Sequence, residues 1–328
     1  MHLALPLAFE VAVFAILLAI LAIDILLIFK RPHIPSAKES TLFVVFYALL
    51  AVIFGLVILW IGNAEAATQF YAGWLTEYSL SIDNLFVFVI IMNRFKVARK
   101  YQQEVLMVGV IMALVLRGIF ILAGAALIES FSAIFYLFGA FLIYTAYHQA
   151  FRGHETEEET ESKLIATLRK RIKFSPEYDG AKIRTVHNGK KMFTPMLVVF
   201  IAIALTDVMF AFDSIPAIFG ITTDPFIVFT ANIFALMGLR QLYFLLGGLL
   251  DSLEYLKYGI AFILAFIGFK LLAHAMHVNE LPFINGGKHI EWAPEISTNT
   301  SLFVIVASIA VSAVASLIKA RSKKSATK

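Results

Sequence analysis

Residues 72–93 read AGWLTEYSLSIDNLFVFVIIMN, and residues 194–218 read TPMLVVFIAIALTDVMFAFDSIPAI. Each stretch is long enough to cross a membrane as a helix, which takes about 20 apolar residues for about 30 Å of hydrocarbon. Yet each carries two acids. Glu77 and Asp83 are followed by Asn84 in the first, and Asp207 and Asp213 by Ser214 in the second. An ionised carboxylate at bilayer depth costs at least about 2.5–3.5 kcal/mol. Four such groups in two matching frames need a compensating partner.

The rest of the chain has the composition of a membrane protein. Of 328 residues, 60% are hydrophobic and 15% charged, with 31 Phe and a mean hydropathy of +0.84. A soluble domain is about 45–50% apolar and 25% charged, so a soluble enzyme is excluded. With no Cys at all, disulfides, thiolate metal sites and cysteine nucleophiles are excluded as well. Nine spans are predicted, near 8–29, 41–62, 72–93, 104–127, 131–150, 194–218, 226–249, 257–276 and 301–318. The first is read as a retained helix, because Asp24 precedes Lys30 and Arg31 and no small-residue cleavage site follows. Placing the N-terminus outside puts 23 of the 27 Lys and Arg residues on one side and only Lys288 on the other. Arg117, Arg240 and Lys270 fall within spans. Basic residues are retained on the cytoplasmic side during insertion, so the N-terminus is expected outside and the C-terminus inside.

The two acid motifs head two similar triplets. The span after each motif carries an arginine, in Leu116-Arg117-Gly-Ile-Phe-Ile-Leu122 and Leu239-Arg240-Gln-Leu-Tyr-Phe-Leu245. The next span in each half has a glycine nine residues before a histidine, Gly139 to His148 and Gly268 to His277. Spans three to five and six to eight run in opposite senses, so an all-α polytopic fold with an inverted 3+3 repeat is expected, an architecture of secondary transporters with midplane sites. The predicted organisation is helices one and two over 1–62 and the first repeat over 63–150. A charged cytoplasmic loop over 151–193 follows, then the second repeat over 194–277, an outside loop over 278–300 and a last helix with basic tail over 301–328.

Acids six residues apart on a regular helix are separated by about 120°, so meeting one ligand would need local unwinding. Pro216, and Ser79 with Ser81, are the expected places for it. A spacing of seven keeps Glu77 over Asn84 and Asp207 over Ser214. Two readings compete. The acids could be neutralised internally by Arg117 and Arg240, the rest protonated. Alternatively Glu77, Asp83, Asn84, Asp207, Asp213 and Ser214 form a cation site, for which oxygen ligands suit Mg²⁺, Ca²⁺ or Mn²⁺. Two arginines are too few for four acids, which favours the second. Met209 and Asn232 are weaker candidate ligands, and Asp24 is read first as half of a structural ion pair. Burial raises a carboxyl pKa, so protons are the natural counter-ion. No phosphate-binding G-x-x-x-x-G-K-[ST] loop is present.

The stretches Glu77–Phe88 and Asp207–Ile218, with Thr222–Phe226 and Gly238–Phe244, resemble the two signatures of the TerC family of integral membrane proteins, closest to its Alx-type manganese exporters. That resemblance implies Mn²⁺ efflux across a bacterial plasma membrane, with the acids of both motifs as metal contacts and no enzymatic activity. It also leaves open a membrane scaffold that assists assembly or metalation of exported or membrane proteins, with 151–193 as its working surface. The expected partners are the bilayer, the divalent ion and protons. No resident cofactor and no nucleic acid are implied, and the sequence carries no signature of a particular oligomeric state.

Overall fold

A Ser, Asn or Asp just ahead of an apolar run starts a helix, because its side chain takes up an N–H that the first turn leaves free. Three of the long runs begin this way in the computed structural model, which describes residues 7–30, 35–131, 133–151, 174–187, 190–246 and 255–326. Ser36 Oγ accepts from Glu39 N at 3.2 Å, Asn63 Oδ1 from Ala66 N at 2.8 Å, and Asp224 Oδ1 from Phe226 N at 2.9 Å. The helices are α1 (Leu7–Lys30), α2 (Ala37–Ile61), α3 (Ala64–Arg94), α4 (Arg99–Ser130) and α5 (Ile134–Phe151), then α6 (Met196–Phe219), α7 (Pro225–Met237), α8 (Leu239–Leu246), α9 (Leu256–His277) and α10 (Thr298–Ala326). Between the halves lies a hairpin of β1 (Arg184–His187) paired antiparallel with β2 (Lys190–Phe193). Tyr178 ties this region to the end of α3 by donating to the Phe95 carbonyl at 2.6 Å. Beside it, hydrogen bonds from Thr185 and Lys182 hold the Asp179 carboxyl below its ordinary pKa. The acidic run from Glu155 to Glu161 lies outside the described residues.

The chain is an all-α polytopic membrane protein, with this one small hairpin among the described residues. Among the described residues, eight spans are long and apolar enough to cross a membrane, α7 and α8 counting as one over Pro225–Leu245. The predicted fifth span is present as α5, 18 residues long, but Tyr136, Tyr144, Tyr147, His148 and Gln149 dilute its apolar character below that of the eight. Spans one, two and nine are the least buried of the eight. Buried residues make up 11%, 22% and 22% of those windows, against 69% for α3 and 89% for Pro225–Leu245. The outward faces of α1, α2, α4 and α10 carry exposed Leu18, Leu49, Ile119 and Phe303, as a lipid-facing surface should.

Inside, α3 packs on α6 and α7, α4 on α6 and α7, and α5 along α9. A weaker pair of contacts joins α5 with α6 and α9 with α3. These pairs map onto one another when α3, α4 and α5 are exchanged with α6, α7 and α9. Phe54, Phe70 and Phe234 bind α2, α3 and α7 together, with Phe54 and Phe70 edge to face at 5.0 Å. The α5–α9 contact is backbone-close. A Cβ placed on Gly139 would lie 2.8 Å from the Gly268 carbonyl, and one on Gly268 would lie 2.8 Å from the Gly139 carbonyl. Small residues permit such approach between membrane helices, and a carbonyl cannot move aside as a side-chain tip can. Gly139→Ala is therefore expected to destabilise by about 1–3 kcal/mol, read as a lower unfolding midpoint of the detergent-solubilised chain. An unchanged midpoint would show that the helices do not meet here.

The expected unwinding at the acid motifs is not what the structure shows. Both α3 and α6 run without interruption through their motifs, with Pro216 accommodated in the last turns of α6. The break comes instead at Gly238, which separates α7 from α8 just before Arg240. Its counterpart α4 is continuous through Arg117 and Gly118, so the two halves differ at their arginines rather than at their acids.

Candidate cation site

Glu77, Arg117 and Asp207 each sit near the middle of a long helix, α3, α4 and α6 respectively. What brings them together is the face on which they lie. On α4, Gly109, Arg117 and Gly124 follow at spacings of eight and seven, one side of a helix. The two glycines let α6 close in: a Cβ on Gly109 would meet Ile203 at 3.1 Å, and one on Gly124 would meet Phe219 at 2.8 Å. Arg117 lies between these contacts and is thereby pointed at the acid-bearing helices.

The guanidinium is 1% exposed, with Glu77 at 0% and Asp207 at 2%. Arg117 Nη1 lies 2.6 Å from Glu77 Oε2, and Nε lies 3.5 Å from Asp207 Oδ1. With its amide oriented to satisfy its neighbours, Asn84 accepts from Arg117 Nη2 at 3.2 Å and donates to the Leu80 carbonyl at 2.9 Å. One acid from each motif thus shares a single arginine, and the expected seven-residue alignment of Glu77 with Asn84 holds. The cluster is also incomplete. The Ser214 hydroxyl bonds the Glu77 carboxylate, while among the described residues Asp207 Oδ2, Ser81 Oγ and both amide atoms of Asn232 are buried without a hydrogen-bond partner. Buried polar atoms are nearly always paired, so Asp207 Oδ2 beside the guanidinium is an acceptor left open to a further donor or cation.

The remaining candidates are placed differently. Asp213 is half-buried and accepts from Thr145 Oγ1 of α5 at 3.1 Å. Met209 is half-buried, and two residues beyond Asp207 it points about 200° away around the helix. Asp83 lies in α3, but its side chain is outside those described. Arg240 is held elsewhere: its Nη2 lies 2.9 Å from Asp24 Oδ1 of α1, and the Tyr47 hydroxyl also bonds Asp24. Among the described residues, no three His, Cys, Asp or Glu side chains are grouped so as to hold a metal ion. Thr145 and Tyr47 had no signal in the sequence, since a hydroxyl on an apolar helix ordinarily bonds its own backbone, as Thr76 does to the Ala72 carbonyl.

A cavity of about 950 Å³ opens at another level, between the start of α3 and the ends of α6 and α9, lined by Glu65, Gln69, Gly220, Lys270 and His274 among others. Along α3, Gln69 is about 12 Å from Glu77 at 1.5 Å per residue. Glu77 and Asp207 do not line that cavity.

The pattern of the Integral membrane protein TerC family matches residues 62–324. The chain belongs to the TerC family. An uncharacterized membrane protein of Mycobacterium tuberculosis is 43% identical to it over 308 residues, 93% of this chain and 77% of that protein. One from Myxococcus xanthus is 38% identical over 307 residues, 94% and 91% of the two chains. Alx of Shigella flexneri, named as a candidate membrane-bound redox modulator, is 42% identical over 270 residues, 79% of this chain and 84% of that one. No solved structure matches the chain. The TerC match begins after α2, so the Glu77–Arg117–Asp207 cluster lies wholly inside the family segment. Asp24, the partner of Arg240, lies outside it.

Proposed function

We propose that this TerC protein is a secondary transporter that exports divalent metal, Mn²⁺ first, across a bacterial plasma membrane by alternating access, with the N-terminus outside and the C-terminus inside. The observation that carries the reading is the meeting of Glu77 and Asp207, one acid from each half, at one buried point, with Asn84 on the same guanidinium, Ser214 bonded to Glu77 and Asp207 Oδ2 unpartnered. An oxygen-rich donor set of this kind suits a hard dication. The exchange of equivalent helix contacts between the halves supports an inverted repeat, whose midplane is where such sites lie. The near-zero exposure of the cluster corresponds to an occluded stage of the cycle, with the 950 Å³ cavity as an outer vestibule. Asp83 and Asp213 complete the ligand set as helices shift. Two carboxylates and one guanidinium leave one negative charge, which a proton can neutralise on the return stroke. Thiol chemistry has no place in this chain, which has no cysteine.

Proteoliposomes test the reading directly. With Mn²⁺, Mg²⁺, Ca²⁺ and Zn²⁺ offered in turn, Mn²⁺ flux is expected to exceed that in empty vesicles by at least tenfold and to saturate. Flux no greater than in empty vesicles for every ion would end the proposal. Deleting 152–173 separates it from the scaffold reading: transport should persist, whereas a scaffold working through that loop should fail.

A further inference from the structure

An exporter must return its empty site across the membrane, and two bare carboxylates cannot make that passage cheaply. In this structure the carboxylates are not bare. Arg117 takes the oxygens a dication would need: Oε2 of Glu77 at 2.6 Å, Oδ1 of Asp207 at 3.5 Å and, through Asn84, a neutral oxygen at 3.2 Å. A guanidinium cannot be deprotonated in a protein, so it brings a permanent positive charge on a covalent tether. Its grip is partial. The Asp207 contact is longer than a good charge-assisted hydrogen bond of about 2.7–2.9 Å, and the second oxygen of Asp207 is unclaimed. The equivalent arginine of the other half is unavailable, because Arg240 is held by Asp24.

Resting on the transport reading above, we propose that Arg117 is a tethered counter-cation: it occupies the acids when metal is absent, yields them to the incoming dication, and re-enters when the metal leaves, so that the empty carrier can return. Ser81 shares a helix face with Glu77, four residues on, and carries an unpartnered buried oxygen. It offers the displaced guanidinium an acceptor.

This role separates two fluxes. Net Mn²⁺ efflux needs the empty carrier to return, whereas Mn²⁺–Mn²⁺ exchange at equal concentrations does not. The full chain is reconstituted, and the ratio of net efflux to exchange is compared for wild type, Arg117→Gln and Arg117→Lys, each first shown to run as one folded species in detergent. The ratio is expected to fall at least tenfold in R117Q and to stay within about threefold of wild type in R117K. An unchanged ratio in R117Q, or an equal fall in R117K, overturns the proposal. If R117Q does not fold, R117K decides alone: a ratio within threefold supports the role and a tenfold fall overturns it. Wild-type exchange in Glu77→Gln and Asp207→Asn would instead remove the transport site itself, a distinct result.

Discussion

Glu77→Gln is expected to lower Mn²⁺ flux by at least thirtyfold while leaving the chain folded. Loss of a charged ligand or partner in a buried site costs about 2–3 kcal/mol in binding, and each 1.4 kcal/mol is a factor of ten. The fold survives because Arg117 remains beside Asp207, so no buried charge is stranded. Asp207→Asn should behave alike, with Glu77 then the sole acid on the guanidinium. The pair is informative because each acid comes from a different half. A site belonging to one motif alone would lose flux in one variant and keep it in the other. Flux traces from proteoliposomes, normalised to reconstituted protein, give the answer, and wild-type rates in both variants would detach the acids from transport.

The largest stability effect is expected far from the motifs. Asp24→Asn leaves Arg240 without its carboxylate in a site where the two side chains are only 10% and 19% exposed. Removing one partner of a buried pair costs about 3–5 kcal/mol, because the other charge is left uncompensated. The exposure here points to the lower end, about 3 kcal/mol. Replacing both residues with Leu should recover most of that loss, since paired removal strands nothing. Tyr47→Phe, which removes one hydrogen bond to Asp24, should cost about 1 kcal/mol. Unfolding in mixed micelles by increasing SDS measures all three. Additive losses in the double variant would show that Asp24 and Arg240 do not act as a pair. A flux defect in D24N that tracks its loss of folded protein would mark the pair as structural rather than as a metal contact.

Several features of this chain could be read before any coordinates. Apolar run length placed the helices, with most ends within about five residues, although α3 begins eight residues before the predicted span and α10 ends eight residues after it. The seven-residue spacing correctly set Asn84 on the side of Glu77, because helical phase is a local property carried by 3.6 residues per turn. The unwinding expected from the six-residue spacing did not appear. It assumed that both acids of a motif face one ligand, whereas Asp207 turns to Arg117 and Asp213 to Thr145. Helix phase alone is satisfied by that division.

Bilayer crossing and the repetition of the acid–arginine pattern were thus decided by residue order, since both depend on hydrophobicity and spacing along one strand of chain. Which cation serves which acid was decided only by packing. The two arginines occupy matching places in the sequence, yet Arg117 bridges the halves while Arg240 reaches a carboxylate 216 residues away on α1. That choice depends on how each helix is rotated against its neighbours, and the rotation is set by close contacts such as Gly109 on Ile203 and Gly124 on Phe219, between segments whose meeting no local pattern encodes.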